Sequence, residues 1–237
     1  ILTSSKKEND VKVNTKIKTV LIAATMLSTG YAYAGELLIN GTAMKIVKAP
    51  HFYEFDTSQN PDKSWWCGHT AFKTALESQG VYKTLYEIHE DFKRANKGLG
   101  VYSKYNCAGH WCASPILMSK SVTKYRNQGM DISYERKTIY SATELFKVVK
   151  EEISKGNTIV ALSSRAYSYR GNNWYSIGHF FNIHGYNDSK INDFIYVRDP
   201  VREDSGGWMS DKSFELHEFY NNAKSGSKVV LGIISSS

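Results

Sequence analysis

An α+β domain, with a helical lobe facing an antiparallel sheet, is what this sequence predicts, and three observations carry the expectation. Apolar residues recur at helical spacing through the first half of the chain, and short apolar runs bounded by turn residues fill the second half. No internal repeat, low-complexity stretch or linker divides the two halves. At 237 residues the chain is long enough for a single large core.

The elements follow in order. Residues 35–50 read as a strand or extended lead-in, with Leu37, Leu38, Ile39, Ile46 and Val47 placed around the turn signal Asn40-Gly41. Cys67, Ala71, Ala75 and Leu76 recur at helical spacing before Gly80, so a helix is expected to begin near Cys67. A second helix is expected over Leu85 to Asn96, and residues 98–112 read as a Gly- and Tyr-rich loop. Pro115 to Asn127 reads as a helix opened by proline, whose missing N–H is no loss in a first turn. Thr143 to Lys155 is the clearest helix, with Leu145, Val148, Val149 and Ile153 on one face and Gly156 as its stop. Thr158 to Leu162 is nearly all apolar, the pattern of a strand buried on both faces. A polar loop around Gly171-Asn172-Asn173 then leads to strands over His179–Tyr186 and Phe194–Arg198, parted by the turn residues Asn187-Asp188-Ser189.

Composition narrows the range of functions. With 41% hydrophobic and 22% charged residues the chain is an ordinary globular protein. The formal net charge is +7, but Lys6, Lys7, Lys12, Lys16 and Lys18 concentrate part of it near the start, and no stretch interleaves dense Lys/Arg with aromatics. Nucleic acid is therefore not an expected partner. The 16 tyrosines suit a half-wet core first, and a cleft that grips chain-like ligands second.

Lys16 and Lys18 precede the apolar run Val20 to Leu27, which softens into Ser28-Thr29-Gly30 and ends in Ala32-Tyr33-Ala34. This is the pattern of a signal peptide over residues 1–34 with cleavage after Ala34, leaving 35–237 as the mature domain; a short anchoring helix is the rival reading. The run falls short of the roughly 20 residues that span a bilayer, so no stable membrane span is expected after cleavage, and the expected location is secreted or periplasmic. In an oxidising compartment three cysteines leave one unpaired. Cys107 and Cys112, close together in the chain, are the expected pair, which leaves Cys67 as the free thiol. Cys107, His110 and Cys112 match no common zinc spacing, and neither a metal nor another cofactor is expected.

The chemistry-bearing segment is Trp65-Trp66-Cys67-Gly68-His69-Thr70. A cysteine at a helix start gains from the free N–H groups and partial positive charge there, which favour the reactive thiolate. Gly68 leaves room for a substrate, and the Cys67 N–H is placed to meet an oxyanion. The bland alternative is a small buried cysteine beneath two tryptophans. Farther on, Gly178-His179 sets an imidazole at the mouth of a strand beside a glycine that leaves room for a substrate, and Asp199-Pro200 ends the neighbouring strand with a carboxylate. Cys67 as nucleophile, His179 as base and Asp199 as the group that orients the base form the logic of a triad.

These residues resemble the C39-like peptidases of the papain-like superfamily, which share a fold with bacteriocin-leader peptidases. The likeness covers most of residues 50–220 and runs through Gln59, Cys67-Gly68, Gly156, Gly178-His179, Gly185-Tyr186 and Asp199-Pro200 in that order. It implies a papain-like fold, with the nucleophile at a helix N-terminus packed on an antiparallel sheet, and assigns the Gln59 side-chain amide to the oxyanion hole beside the Cys67 backbone. The chain departs from the pattern at His69, where such enzymes commonly carry proline, and in the insert around Cys107 to Cys112.

The expected activity is hydrolysis of a peptide or protein substrate through an acyl-enzyme. Two other readings stay open: a papain-like binding module without chemistry, and an acyl transferase that uses an amine in place of water. Trp65, Trp66, Gly68, Gly178 and the Tyr167-Ser168-Tyr169 loop are the candidates for the substrate groove, and for the aromatic residues a packing role is the alternative. His69 reads as a solvated helix-start histidine, His184 as a core or edge histidine of opposite parity to His179, and His51, His89, His110 and His217 as surface residues.

Overall fold

The computed structural model describes residues 34–39, 42–47, 66–102, 112–168, 173–189, 191–200 and 211–236. Along the chain these form β1 (Ala34–Ile39), β2 (Thr42–Val47), α1 (Cys67–Ser78), α2 (Leu85–Ala95), α3 (Pro115–Asn127), β3 (Ile132–Ile139), α4 (Ala142–Ser154) and β4 (Ile159–Ser163). There follow β5 (Ala166–Ser168), β6 (Asn173–Tyr175), β7 (His179–Asp188), β8 (Phe194–Arg198), β9 (Asp211–Glu215), α5 (Leu216–Ala223) and β10 (Val229–Ser236). The fold is α+β, as the sequence predicts.

The helix ends have local causes. Thr84 opens α2 with a capping box, its hydroxyl accepting from the Glu87 N–H while the Glu87 carboxylate accepts from the Thr84 N–H. Ser141 caps α4 through the Glu144 N–H. Beyond α1 and α4 the chain turns at Gly80 (φ 76°) and Gly156 (φ 88°), a backbone region that side chains with a Cβ seldom enter.

The main sheet runs β1-β2-β7-β4-β10-β3, with β8 also paired to β7 and β9 to β8, every ladder antiparallel. β5 and β6 form a separate two-stranded ladder. Because strand side chains alternate between faces, each central strand feeds two cores. Val160, Phe180 and Ile234 pack with Ala71, Phe72 and Leu76 of α1 and with Phe92, Leu117 and Tyr125 of the helices behind it. Ile159, Ala161, Phe181, Ile183 and Leu231 pack on the other face with Leu145, Val149 and Ile153 of α4 and Phe219 of α5. A fully buried Phe, Leu or Ile contributes roughly 1.5–3 kcal/mol, whereas an exposed pair such as Lys150–Asp188 is worth about 0–1 kcal/mol. The two apolar clusters therefore hold the helices to the sheet.

The elements expected over Leu85 to Asn96, Pro115 to Asn127, Thr143 to Lys155, Thr158 to Leu162 and Phe194 to Arg198 are present to within a residue or so. β7 runs two residues past Tyr186, because Asn187 and Asp188 pair with Met44 and Ala43 of β2. In place of a wholly polar loop, the short ladder β5–β6 flanks residues 169–172. β3, β9, α5 and β10 answer to nothing expected from the sequence. The expected signal peptide lies outside the described residues up to Tyr33, and among the described residues no helix is long and apolar enough to cross a membrane.

One buried polar group ties two helices together. Asp91 of α2 is almost fully buried and accepts from Tyr125 Oη, Lys124 Nζ and Arg94 Nη2, each at 2.6 Å. Burial pushes its pKa up, but the bonds from Arg94, Lys124 and Tyr125 outweigh that and hold it below the usual carboxylate value. Its stabilising share is thus present above the ordinary carboxylate pKa and is lost as pH falls through the depressed one. Asp91→Ala leaves the buried Tyr125 hydroxyl without its acceptor and is expected to cost about 2–3 kcal/mol in urea unfolding at pH 7. An unchanged midpoint would reject this account of the α2–α3 contact.

Candidate active site

Cys67 is the first residue of α1, partly exposed, and the free cysteine among the described residues. The residue before it, Trp66, supplies no side-chain cap, and the first turn holds no acidic residue. The N-cap residue thus supplies none of the side-chain oxygen that Thr84 and Ser141 give to α2 and α4, and the positive end of the helix dipole lies at the thiol.

His179 is the first residue of β7 and is buried. Asp199 follows the last residue of β8 and is buried too. The ladder pairs Asn182 with Arg198, so one more step sets Asp199 across from Phe181, within diagonal reach of His179. His179 Nε2 lies 2.7 Å from Asp199 Oδ1. A carboxylate accepts and does not donate, so Nε2 carries the hydrogen. Nδ1 is then the nitrogen left for Cys67, whose side chain is also a hydrogen-bond partner of the ring. Phe181 meets the imidazole edge to face at 4.7 Å and fixes its plane.

The electrostatics of the imidazole follow from these neighbours. Burial is the largest influence and works downward, but the charge of Asp199, then that of Cys67, then the hydrogen bonds to both outweigh it, and the pKa of His179 stands well above the ordinary value. The protonated ring is therefore favoured over a wider pH range than in a free histidine.

Two expectations about the cleft are corrected. Trp66 is fully buried, its ring stacked at 4.9 Å on both His69 and His89, so it lines no groove. Gly68 is packed against protein: a Cβ there would lie 2.4 Å from Ala113 Cβ and 2.9 Å from Phe180, so the space expected for substrate is already filled. Gly178, by contrast, is exposed beside His179, and the nearest atom to a Cβ there is Ser163 O at 4.0 Å. Tyr167 is also in the core, against Trp174 and Phe214 with Lys212 over its ring.

The histidines divide differently from expectation. His69 is not solvated and His89 is not on the surface: both are buried, and the Tyr102 hydroxyl lies 2.5 Å from His69 Nε2 and 2.7 Å from His89 Nδ1. Burial, then the neighbouring His89, holds His69 well below the ordinary pKa, so the ring at the start of α1 is neutral. The cause is the aromatic stack of Trp66, Phe92 and Tyr102, which takes both imidazoles into the helical lobe. His184 is buried and His217 is exposed. Gln59, Trp65, His51, Cys107, His110 and Tyr169 lie outside the described residues, and with Cys107 the pairing to Cys112. Among the described residues no cluster of three or more His, Cys, Asp or Glu could hold a metal ion.

One site residue escaped the sequence reading. Asn182 Nδ2 donates to Ala71 O at 3.0 Å, joining β7 to α1 inside the protein. The signal was there: Asn182 is an amide within the otherwise apolar run Phe180-Phe181-Asn182-Ile183, and a buried amide must find a partner.

A thiol-bearing helix laid on an antiparallel sheet whose strand ends carry an imidazole and a carboxylate is a papain-like, cysteine peptidase-type fold. The chain belongs to the C39-like peptidases: the model of the Peptidase_C39 like family matches residues 49–228. No curated protein matches the chain.

The packing at Gly68 gives a direct expectation. Gly68→Ala should destabilise the fold by about 1–3 kcal/mol in urea unfolding, since it overfills a packed site. Ala113→Gly in the same chain should recover part of the loss, and no recovery would show that Ala113 is not what the added methyl meets.

Proposed function

We propose that this protein is an exported cysteine peptidase or amidohydrolase that cleaves peptide or amide bonds through an acyl-enzyme. The observation that carries the reading is the continuous chain of contacts from Cys67 through His179 to Asp199. Membership of a peptidase family supports the reaction class.

In this reading the Cys67 thiolate adds to the substrate carbonyl, and the Cys67 N–H and the Gln59 amide hold the oxyanion. His179, protonated at Nδ1, gives that proton to the leaving amine, which departs and leaves a thioester. Water then gives a proton to Nδ1 as it attacks the thioester; the acid is released and the thiolate returns. Asp199 keeps the hydrogen on Nε2, so that Nδ1 faces the reaction throughout. Gly178, with open space beside the imidazole, gives substrate its approach on the strand side. Residues 1–34 act as the export signal, 35–237 form the mature domain in the periplasm or outside the cell, and a Cys107–Cys112 bridge leaves Cys67 reduced.

Profiling a peptide library with the intact protein and with Cys67→Ala tests the reading. Cleavage is expected only with the former, and equal cleavage by both removes Cys67 from the mechanism.

The Asp199 charge is the largest influence raising the His179 pKa. A histidine raised in this way stabilises the fold fully below its unfolded pKa, and loses that share as pH climbs through the folded one. Without the carboxylate the imidazolium gives up its proton at lower pH. Asp199→Asn is therefore expected to move the alkaline limb of kcat/KM against pH to lower pH, and to lower kcat by about 10²-fold or more. An alkaline limb that stays in place would detach Asp199 from His179.

A further inference from the structure

The nucleophile and the base sit on different elements, α1 and β7, and most of what joins them is apolar. Ala71, Phe72 and Ala75 meet Phe180 and Val160 in a cluster without direction, which resists separation of helix and sheet but resists sliding or rotation of the helix only weakly. A hydrogen bond has direction. Asn182, three residues after His179, donates from Nδ2 to the carbonyl of Ala71, four residues after Cys67, at 3.0 Å in a buried setting. Ala71 O lies inside α1 and has a second lone pair beyond the one used by the helix, so the bond is an addition to the ladder. The same Asn182 is paired through its backbone with Val160 of β4 and with Arg198, the residue before Asp199. One residue thus connects the helix of the thiol, the strand of the imidazole and the strand end of the carboxylate.

We propose that Asn182 is a positioning residue, whose side-chain bond to the Ala71 carbonyl sets the height and rotation of α1 on β7 and so holds the Cys67 sulfur at His179. The inference rests on the catalytic reading of Cys67 and His179. It goes beyond that reading in assigning the alignment to a residue that touches neither substrate nor reacting atoms.

The structure also predicts how to separate alignment from stability. In Asn182→Leu a side chain of similar size replaces the amide; Ala71 O keeps its helical donor, so no buried carbonyl is stranded and unfolding in urea stays close to that of the unaltered protein. Alignment is read without a substrate by the rate of Cys67 alkylation with iodoacetamide across pH, following the Cys67-containing peptide by mass spectrometry. In the unaltered protein the rate at neutral pH is expected to depend on His179. In folded Asn182→Leu the rate at neutral pH is expected to fall about tenfold or more, with its dependence on His179 lost. Should Asn182→Leu not fold, Asn182→Ser, too short to span to Ala71, takes its place. A profile that overlays the unaltered one, with or without a loss of stability, overturns the positioning role while the catalytic reading stands. A rate indifferent to His179→Ala in the otherwise unaltered protein overturns the catalytic reading, and the inference with it.

Discussion

The burial of the pair His179–Asp199 is the constraint around which the rest of the molecule is arranged. An imidazole and a carboxylate 2.7 Å apart are tolerable in a protein interior only when each satisfies the other and the surroundings hold them still. β7 supplies the rigidity. It is hydrogen-bonded to β4, β2 and β8, and its side chains feed apolar clusters on both faces of the sheet. Displacing the imidazole would mean unpairing a central strand and opening two cores.

The helical lobe solves a complementary problem. A thiol at a helix start profits from uncapped N–H groups, yet uncapped ends fray. Here the start of α1 is anchored from behind by aromatic rings. Trp66 packs against both His69 and His89, and both imidazoles meet the Tyr102 hydroxyl. His69 remains neutral, so no second positive charge competes at the helix terminus. The departure from proline at His69 is thereby explained as packing: the ring buys an anchor inside the lobe and is not turned toward a ligand.

Much of this was legible in the chain. Helical spacing after Cys67, the proline at residue 115 and the glycine at 156 mark α1, α3 and α4, because each rests on interactions within a few residues. The apolar run that forms β4 is equally plain, and β10, with Val229-Val230-Leu231, follows the same rule. β3, by contrast, carries Glu135, Arg136 and Lys137 along its middle, and its place is set by pairing with β10 nearly a hundred residues away. At the site, Cys67, Gly178, His179 and Asp199 stood out because glycine and proline flank them. Asn182 did not, since a lone amide in an apolar strand says nothing of which backbone it will meet.

The sequence by itself determined the first four helices, the strand that begins at His179 and the strand that ends just before Asp199, and the residue types able to work as thiol, base and carboxylate, since these follow from local spacing and intrinsic chemistry. Only the tertiary structure decided the fate of the flanking residues. Trp66 and Gly68 went inward and Gly178 outward, and the two histidines of the helical lobe were buried against a tyrosine from beyond α2. Burial depends on what arrives from distant parts of the chain, and neighbours in sequence carry no record of that arrival.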